Sequence, residues 1–160
     1  MGWIPMESNI VPQGIDEIAS SAKMPVGSVV RAYDSALGQA EFIYGKGVAS
    51  CAVGSVCSFD EAGQASLAVA NGKGRIGVAM SACVAGKYGF FQVSGKAYGK
   101  VATSFADNSQ CYLTSTAGTV DDADIAGDLI KGMMGRSAID SDGNAYFEMN
   151  RPFIDDSADD

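Results

Sequence analysis

From residue 26 onward, apolar and polar positions alternate in short runs, with glycine, asparagine or aspartate in most of the gaps between them. A period of two puts successive side chains on opposite faces, so such runs read as half-buried strands. The pattern predicts strands over 28–33, 41–48, 55–59, 66–70, 75–84, 88–94, 96–102, 110–114, 129–138 and 145–150. Turns fall at 34–38, 60–63, 71–74, 116–118 and 140–144. Asp140-Ser-Asp-Gly-Asn144 carries a strong hairpin signal, because Asp and Asn tolerate the left-handed conformation and Gly supplies positive φ. The best-defined part is 87–100, KYGFFQVSGKAYGK, which reads as two neighbouring strands with glycine at their joints. Residues 104–109 fit a loop or a single helical turn. Many short strands with regular turn signals predict an all-β chain, folded as a single β-barrel or β-sandwich.

Residues 1–25 break this pattern. Trp3, Ile4, Met6, Ile10, Val11, Ile15 and Ile18 are apolar, but Pro5, Pro12, Gly14 and Pro25 interrupt any long element. At most a short helical turn fits over 16–23. The chain therefore divides into an extended N-terminal arm at 1–25, a β-rich core at 26–154 and an acidic tail at 155–160. An apolar arm without a core of its own needs a surface to lie on, either a partner's or that of its own domain. Trp3, the only tryptophan, is the natural anchor in either case.

The 160 residues make one domain, long enough to bury a core without staples. Eleven basic residues against 19 acidic ones leave a net charge of −8. Phosphate backbones and anionic membrane surfaces repel such a chain, so neither nucleic acid nor a membrane is an expected partner. The first residues lack the basic region and apolar run of a signal peptide, and no run is long enough to span a bilayer. There is no histidine, so the usual acid or base near neutral pH is missing. Cys51, Cys57, Cys83 and Cys111 sit in apolar, strand-like settings and read as buried free thiols. Close CxxC pairs are missing, so no zinc site is expected, although Cys51 and Cys57 can meet across a turn.

Four motifs carry possible chemistry. Gly72-Lys-Gly-Arg-Ile-Gly77 fits GxGxxG literally, but a β-like run follows it and no acid occurs before Asp107. A dinucleotide site needs a helix and an acid about 20 residues on, so the motif reads as a glycine-rich hairpin leading into a strand. Asp121-Asp-Ala-Asp-Ile-Ala-Gly-Asp128 and 140–144 place oxygens at alternate positions but lack the distal Glu of a calcium loop, and read as solvated turns. Tyr88, Phe90, Phe91 and Tyr98 are either core and wall residues or a stacking platform for a sugar. No catalytic, cofactor-binding or metal residue is assigned. Besides the aromatic ligand site, a small enzyme using Asp and Lys is the remaining rival.

The runs MPVGSVVRAYDSALGQAEFIYGKGVASCAVGSVCSF (24–59), GRIGVAMSACVAGKYGFFQVSGKAYGK (74–100), CYLTSTAGTVDDADIAGDLIKGMMGRSA (111–138) and MNRPFI (149–154) resemble the small capsid decoration, or cement, proteins of tailed bacteriophages. The resemblance spans residues 24–154. It implies a non-enzymatic, β-rich virion protein without cofactors. Such a protein sits on the outer surface of an icosahedral capsid and clamps neighbouring major capsid protein subunits against internal pressure. Residues 1–23 lie outside the matched runs, so their role rests on their own chemistry. The expected contacts are Trp3, Ile4, Met6, Ile10, Val11 and Ile15 of the arm, with Arg151 and Phe153 near the other end. The expected partners are the major capsid protein and other copies of the chain, with monomer, dimer and trimer all open. The alternative is a small ligand- or carbohydrate-binding β-barrel.

Overall fold

The protein is described here by a computed structural model covering residues 2–6 and 11–155. Among these residues there are twelve strands and no helix. They are β1 (Ile4–Pro5), β2 (Val29–Asp34), β3 (Gly38–Lys46), β4 (Val56–Phe59), β5 (Ala65–Leu67) and β6 (Gly74–Ala79). The remainder are β7 (Tyr88–Gln92), β8 (Ser94–Lys100), β9 (Gln110–Leu113), β10 (Val120–Asp121), β11 (Leu129–Gly135) and β12 (Asn144–Ile154). All belong to one antiparallel sheet ordered β1-β2-β3-β7-β6-β12-β11-β9-β10, which does not close on itself. β4 and β5 branch from β6, and β8 branches from β12.

Every predicted strand has a counterpart, but two local expectations fail. The glycine-rich 71–74 turn does lead into β6, yet it closes no hairpin, because β4 lies between β5 and β6. Residues 16–23 form no helical turn; they run irregularly with one bridge, Ala19 to Tyr88. The two strands of 87–100 also part company. β7 pairs with β3 and β6, while β8 pairs with β12. The parting occurs at Gly95, whose φ of +83° and closeness to the Gln39 carbonyl leave no room for a Cβ.

Three cores explain the run of large apolar residues in the middle of the chain. The first gathers Ile76, Val78, Phe105, Leu113, Ile130 and Phe147 under β6, β9, β11 and β12. The second holds Ile43, Phe59, Phe91, Cys51, Cys57 and Cys83. The third holds Ile15, Val30, Ala32, Phe42, Tyr44 and Phe90. β3 and β7 lie between the second and third. Adjacent residues on a strand face opposite ways, so Phe90 enters one core and Phe91 the other. Ile43 and its neighbours Phe42 and Tyr44 divide in the same way.

The third core has a sheet on one side and the N-terminal segment on the other. Ile15 is 2% exposed. Trp3 packs edge-on to Phe42 with ring centroids 5.0 Å apart, and Val11 and Met24 close the rim. The Tyr44 hydroxyl donates to Gln13 Oε1 at 2.7 Å and accepts from the Lys23 amide at 3.1 Å. The Gln13 amide in turn donates to the Glu17 and Tyr88 carbonyls. Of the two surfaces the sequence left open for residues 11–24, the structure places them on the chain's own sheet.

β12 organises the other end. Residues 144–150 pair with β8, and Phe153 and Ile154 pair with β6. Between them the strand bulges: Lys131 opposes Phe153 while Met133 opposes Met149. Arg151 occupies the left-handed region at φ 46°, and its amide leaves the ladder to donate to the Val93 carbonyl at 2.7 Å. A bulge of this kind re-aims side chains. Here it turns Arg151 and Phe153 outward.

Candidate docking face

The side chains of β1 and β2 that point away from the third core make an unusual surface. Ile4 lies opposite Tyr33, and Met6 donates its amide to the Arg31 carbonyl two residue pairs further on. On β2 the outward positions are Val29, Arg31 and Tyr33. Ile4, Met6, Val29 and Tyr33 are 50%, 45%, 50% and 43% exposed. A strand that faces water on one side normally carries polar residues there. β2 instead carries Val29 and Tyr33 on its outer face with Arg31 as the one polar residue between them, which marks that face as one with a use.

The same face continues to the C-terminal strand. Arg31 lies opposite Glu41 on β3. The Glu41 carboxylate accepts two hydrogen bonds from the Arg151 guanidinium, Nε at 3.1 Å and Nη2 at 2.9 Å. Beyond Arg151, Phe153 is 45% exposed and lies between Lys131 on β11 and Arg75 on β6. Between β2 and β12 there is a cavity of about 90 Å³ walled by Val29, Ile43, Val93 and Pro152, with Arg75 and Arg151 beside it. A shallower cleft of about 220 Å³ runs along Arg31, Gln39, Glu41 and Ser94. Four of the chain's 11 basic residues thus gather around exposed apolar groups on a molecule whose net charge is −8.

The fork between Arg151 and Glu41 is the electrostatic centre of the face. The Arg151 hydrogen bonds hold the Glu41 carboxyl below the usual carboxylate range, and the same pairing raises Arg151. A carboxyl lowered in the folded state adds stability above its unfolded value, and that stability is lost as pH falls through the folded value. Arg151 is exposed and Glu41 only partly buried, so solvent screens the pair and the effect on global stability is small. The local effect is measurable. In a carboxyl-selective NMR titration, Glu41 should titrate below an ordinary glutamate, and Arg151→Gln should return it to the ordinary range. An unchanged Glu41 midpoint in that variant would show that the fork does not set it.

The sequence-derived contact residues divide between two faces. Ile4, Met6, Arg151 and Phe153 are all exposed, the first two beside β2 and the last two on β12. Trp3, Val11 and Ile15 point the other way into the third core, so Ile15 offers no surface to a partner. Ile10 and the acidic tail beyond Asp155 lie outside the described residues. Val29, Tyr33, Glu41 and Arg75 join the face without having been singled out in the sequence.

The rival sites take a different form. Phe90 and Phe91 are fully buried in separate cores and Tyr88 is packed against the third, so these aromatics line no common cavity. Tyr98 is on the outer surface, its ring tilted against Tyr146 with centroids 5.0 Å apart, and its hydroxyl is bonded to Asp140. Most acids of the two turn motifs are occupied by backbone amides: Asp122 accepts from Ala106, Asp128 from Asn71, and Asp140 from Asp142 and Asn144. Among the described residues, no group of three His, Cys, Asp or Glu side chains is placed to hold a metal ion. The four cysteines are free and buried, three of them in the second core. Burial pushes Cys83 and Cys111 up to about 12. The hydrogen bond with Cys51 drives Cys57 up further, reinforced by burial. No protein-family model, curated protein or solved structure matches the chain.

Proposed function

We propose that this chain is a head decoration, or cement, protein that binds the outer surface of a tailed-phage capsid and stabilises it by clamping neighbouring major capsid protein subunits. The observation that carries the reading is the outer face, where Ile4, Met6, Tyr33 and Phe153 stand exposed in a frame of arginines. Exposed apolar side chains ringed by polar groups are the composition of a protein-binding surface, and Arg and aromatic residues are favoured in it. The resemblance over residues 24–154 names the partner. We assign the clamp to the β-rich body, as a single β-barrel or β-sandwich.

A cement protein gains affinity by touching several subunits at once, so its binding responds steeply to the geometry of the shell. The direct test is co-sedimentation of the purified chain with expanded and unexpanded phage heads, followed by cryo-EM of the pellet. Saturable density on the outside of expanded heads is the expected result. A chain that stays in the supernatant with its cognate heads would end the proposal.

A further inference from the structure

One exposed apolar residue lies far along the chain from the docking face, at the tip of the acidic turn 121–128. Ile125 is 49% exposed, beside the exposed Asp124. The other acids of that turn are engaged: Asp121 holds the Asp122 amide, Asp122 the Ala106 amide and Asp128 the Asn71 amide. Asp124 has no hydrogen-bond or ion-pair partner among the described residues. These bonds fix the turn from behind and present one aliphatic side chain with one unpaired carboxylate next to it.

The cavity between β2 and β12 has the opposite character. Its walls are Val29, Ile43, Val93 and Pro152, and it has room for about one aliphatic side chain. Of the two guanidiniums beside it, Arg151 is already paired with Glu41. Arg75 has no partner among the described residues. The cavity therefore lacks one apolar occupant and one carboxylate, the pair of groups that the turn presents.

We propose that the tip of the acidic turn of one copy docks into the Val29–Pro152 cavity of a second copy, with Ile125 filling it and Asp124 pairing with Arg75. The occupant is a second copy because the chain itself carries an exposed aliphatic side chain and an unpaired carboxylate, the complement in polarity and charge. A buried aliphatic anchor beside a complementary charge pair is the usual form of an interface hot spot. Donor turn and acceptor cavity are different patches, so the contact is satisfied for every copy only when the assembly closes, as a reciprocal pair or a ring. The contact also opposes the general repulsion between chains of charge −8 by bringing opposite signs together locally. It does not depend on the capsid reading, since it is a property of the protein alone.

The test is analytical ultracentrifugation of the purified full-length chain, with no capsid present, from about 10 μM to about 1 mM. The wild type should self-associate. Arg75→Asp and Asp124→Arg should each weaken the association at least about tenfold, and the double reversal should recover most of the loss. Ile125→Ser, which leaves the charges in place, should weaken it by a similar factor. All these positions are exposed, and unchanged far-UV and near-UV circular dichroism would show that each variant is folded. A wild type that is monomeric throughout the range, or single reversals without effect, would overturn the contact. So would a double reversal that is no better than the singles.

Discussion

Deletion of residues 2–23 should unfold the domain, or leave it without fixed tertiary packing. The segment looks like a detachable arm in the sequence, but it forms one wall of the third core. Its removal uncovers Val30, Phe42, Tyr44 and Phe90, and strips Ile15 and Trp3 from the structure. Burying a large apolar side chain contributes about 1.5–3 kcal/mol, so losing this wall costs on the order of 5 kcal/mol or more. That is comparable with the whole stability of a typical domain, about 5–15 kcal/mol. The Tyr44 hydroxyl would also lose both of its partners, Gln13 and the Lys23 amide. Near-UV circular dichroism and a thermal melt should show loss of the cooperative transition. Ile15→Ala grades the effect: it should keep the fold and lower stability by about 2–5 kcal/mol. A truncated chain that melts cooperatively at the wild-type temperature would refute this account of the segment.

This expectation alters how arm deletions are read. A truncated protein that fails to bind heads would not implicate the arm in binding, because the folded chain would be gone. Informative variants must be confined to residues whose side chains leave the core, and among the apolar residues described in the N-terminal segment those are Ile4, Met6 and Ile18 rather than Trp3 or Ile15.

The division between legible and illegible features follows from the range of the forces involved. Strand positions were legible because a period of two is a local property: 28–33, 88–94 and 110–114 all read as β from their neighbours alone. The existence of turns was legible for the same reason, since Asp140 satisfies the Asp142 and Asn144 amides within its own loop. Pairing was not. That β8 leaves β7 for β12, and that β4 slips between β5 and β6, depends on contacts far apart in the chain, and the glycines mark only where the chain bends. The burial of Phe90 and Phe91 in different cores is likewise invisible until β3 and β7 are known to have a core on each side. The docking face was half legible. Arg151 and Phe153 stood out by residue type, whereas Val29 and Tyr33 looked like ordinary strand residues. The clue in the sequence was the excess of apolar positions in Val29-Val-Arg-Ala-Tyr-Asp34, where alternation leaves polar character only at Arg31 and Asp34.

On the capsid reading, the largest loss of function without loss of fold should come from Ile4→Asp combined with Phe153→Asp. The two residues lie on different strands of one face and belong to none of the three cores, so the double variant should melt close to the wild type; exposed substitutions usually change stability by about 0.5 kcal/mol or less. Forced against a partner, each new carboxylate would need desolvation, offset at position 153 only in part by Lys131 and Arg75, at a cost on the order of 2 kcal/mol. Two such costs make about a thousandfold loss in affinity at each docking site. For a protein that holds several subunits at once the deficit compounds, because every grip that fails also removes the effective concentration that supports the next. Retention on expanded heads, measured by co-sedimentation and by cryo-EM occupancy, should therefore fall from near saturation to background. The control is Tyr98→Asp on the outer surface of β8, which should bind as the wild type does. Should the double variant decorate heads normally while Tyr98→Asp does not, the adhesive surface would lie on the β8 side of the molecule instead.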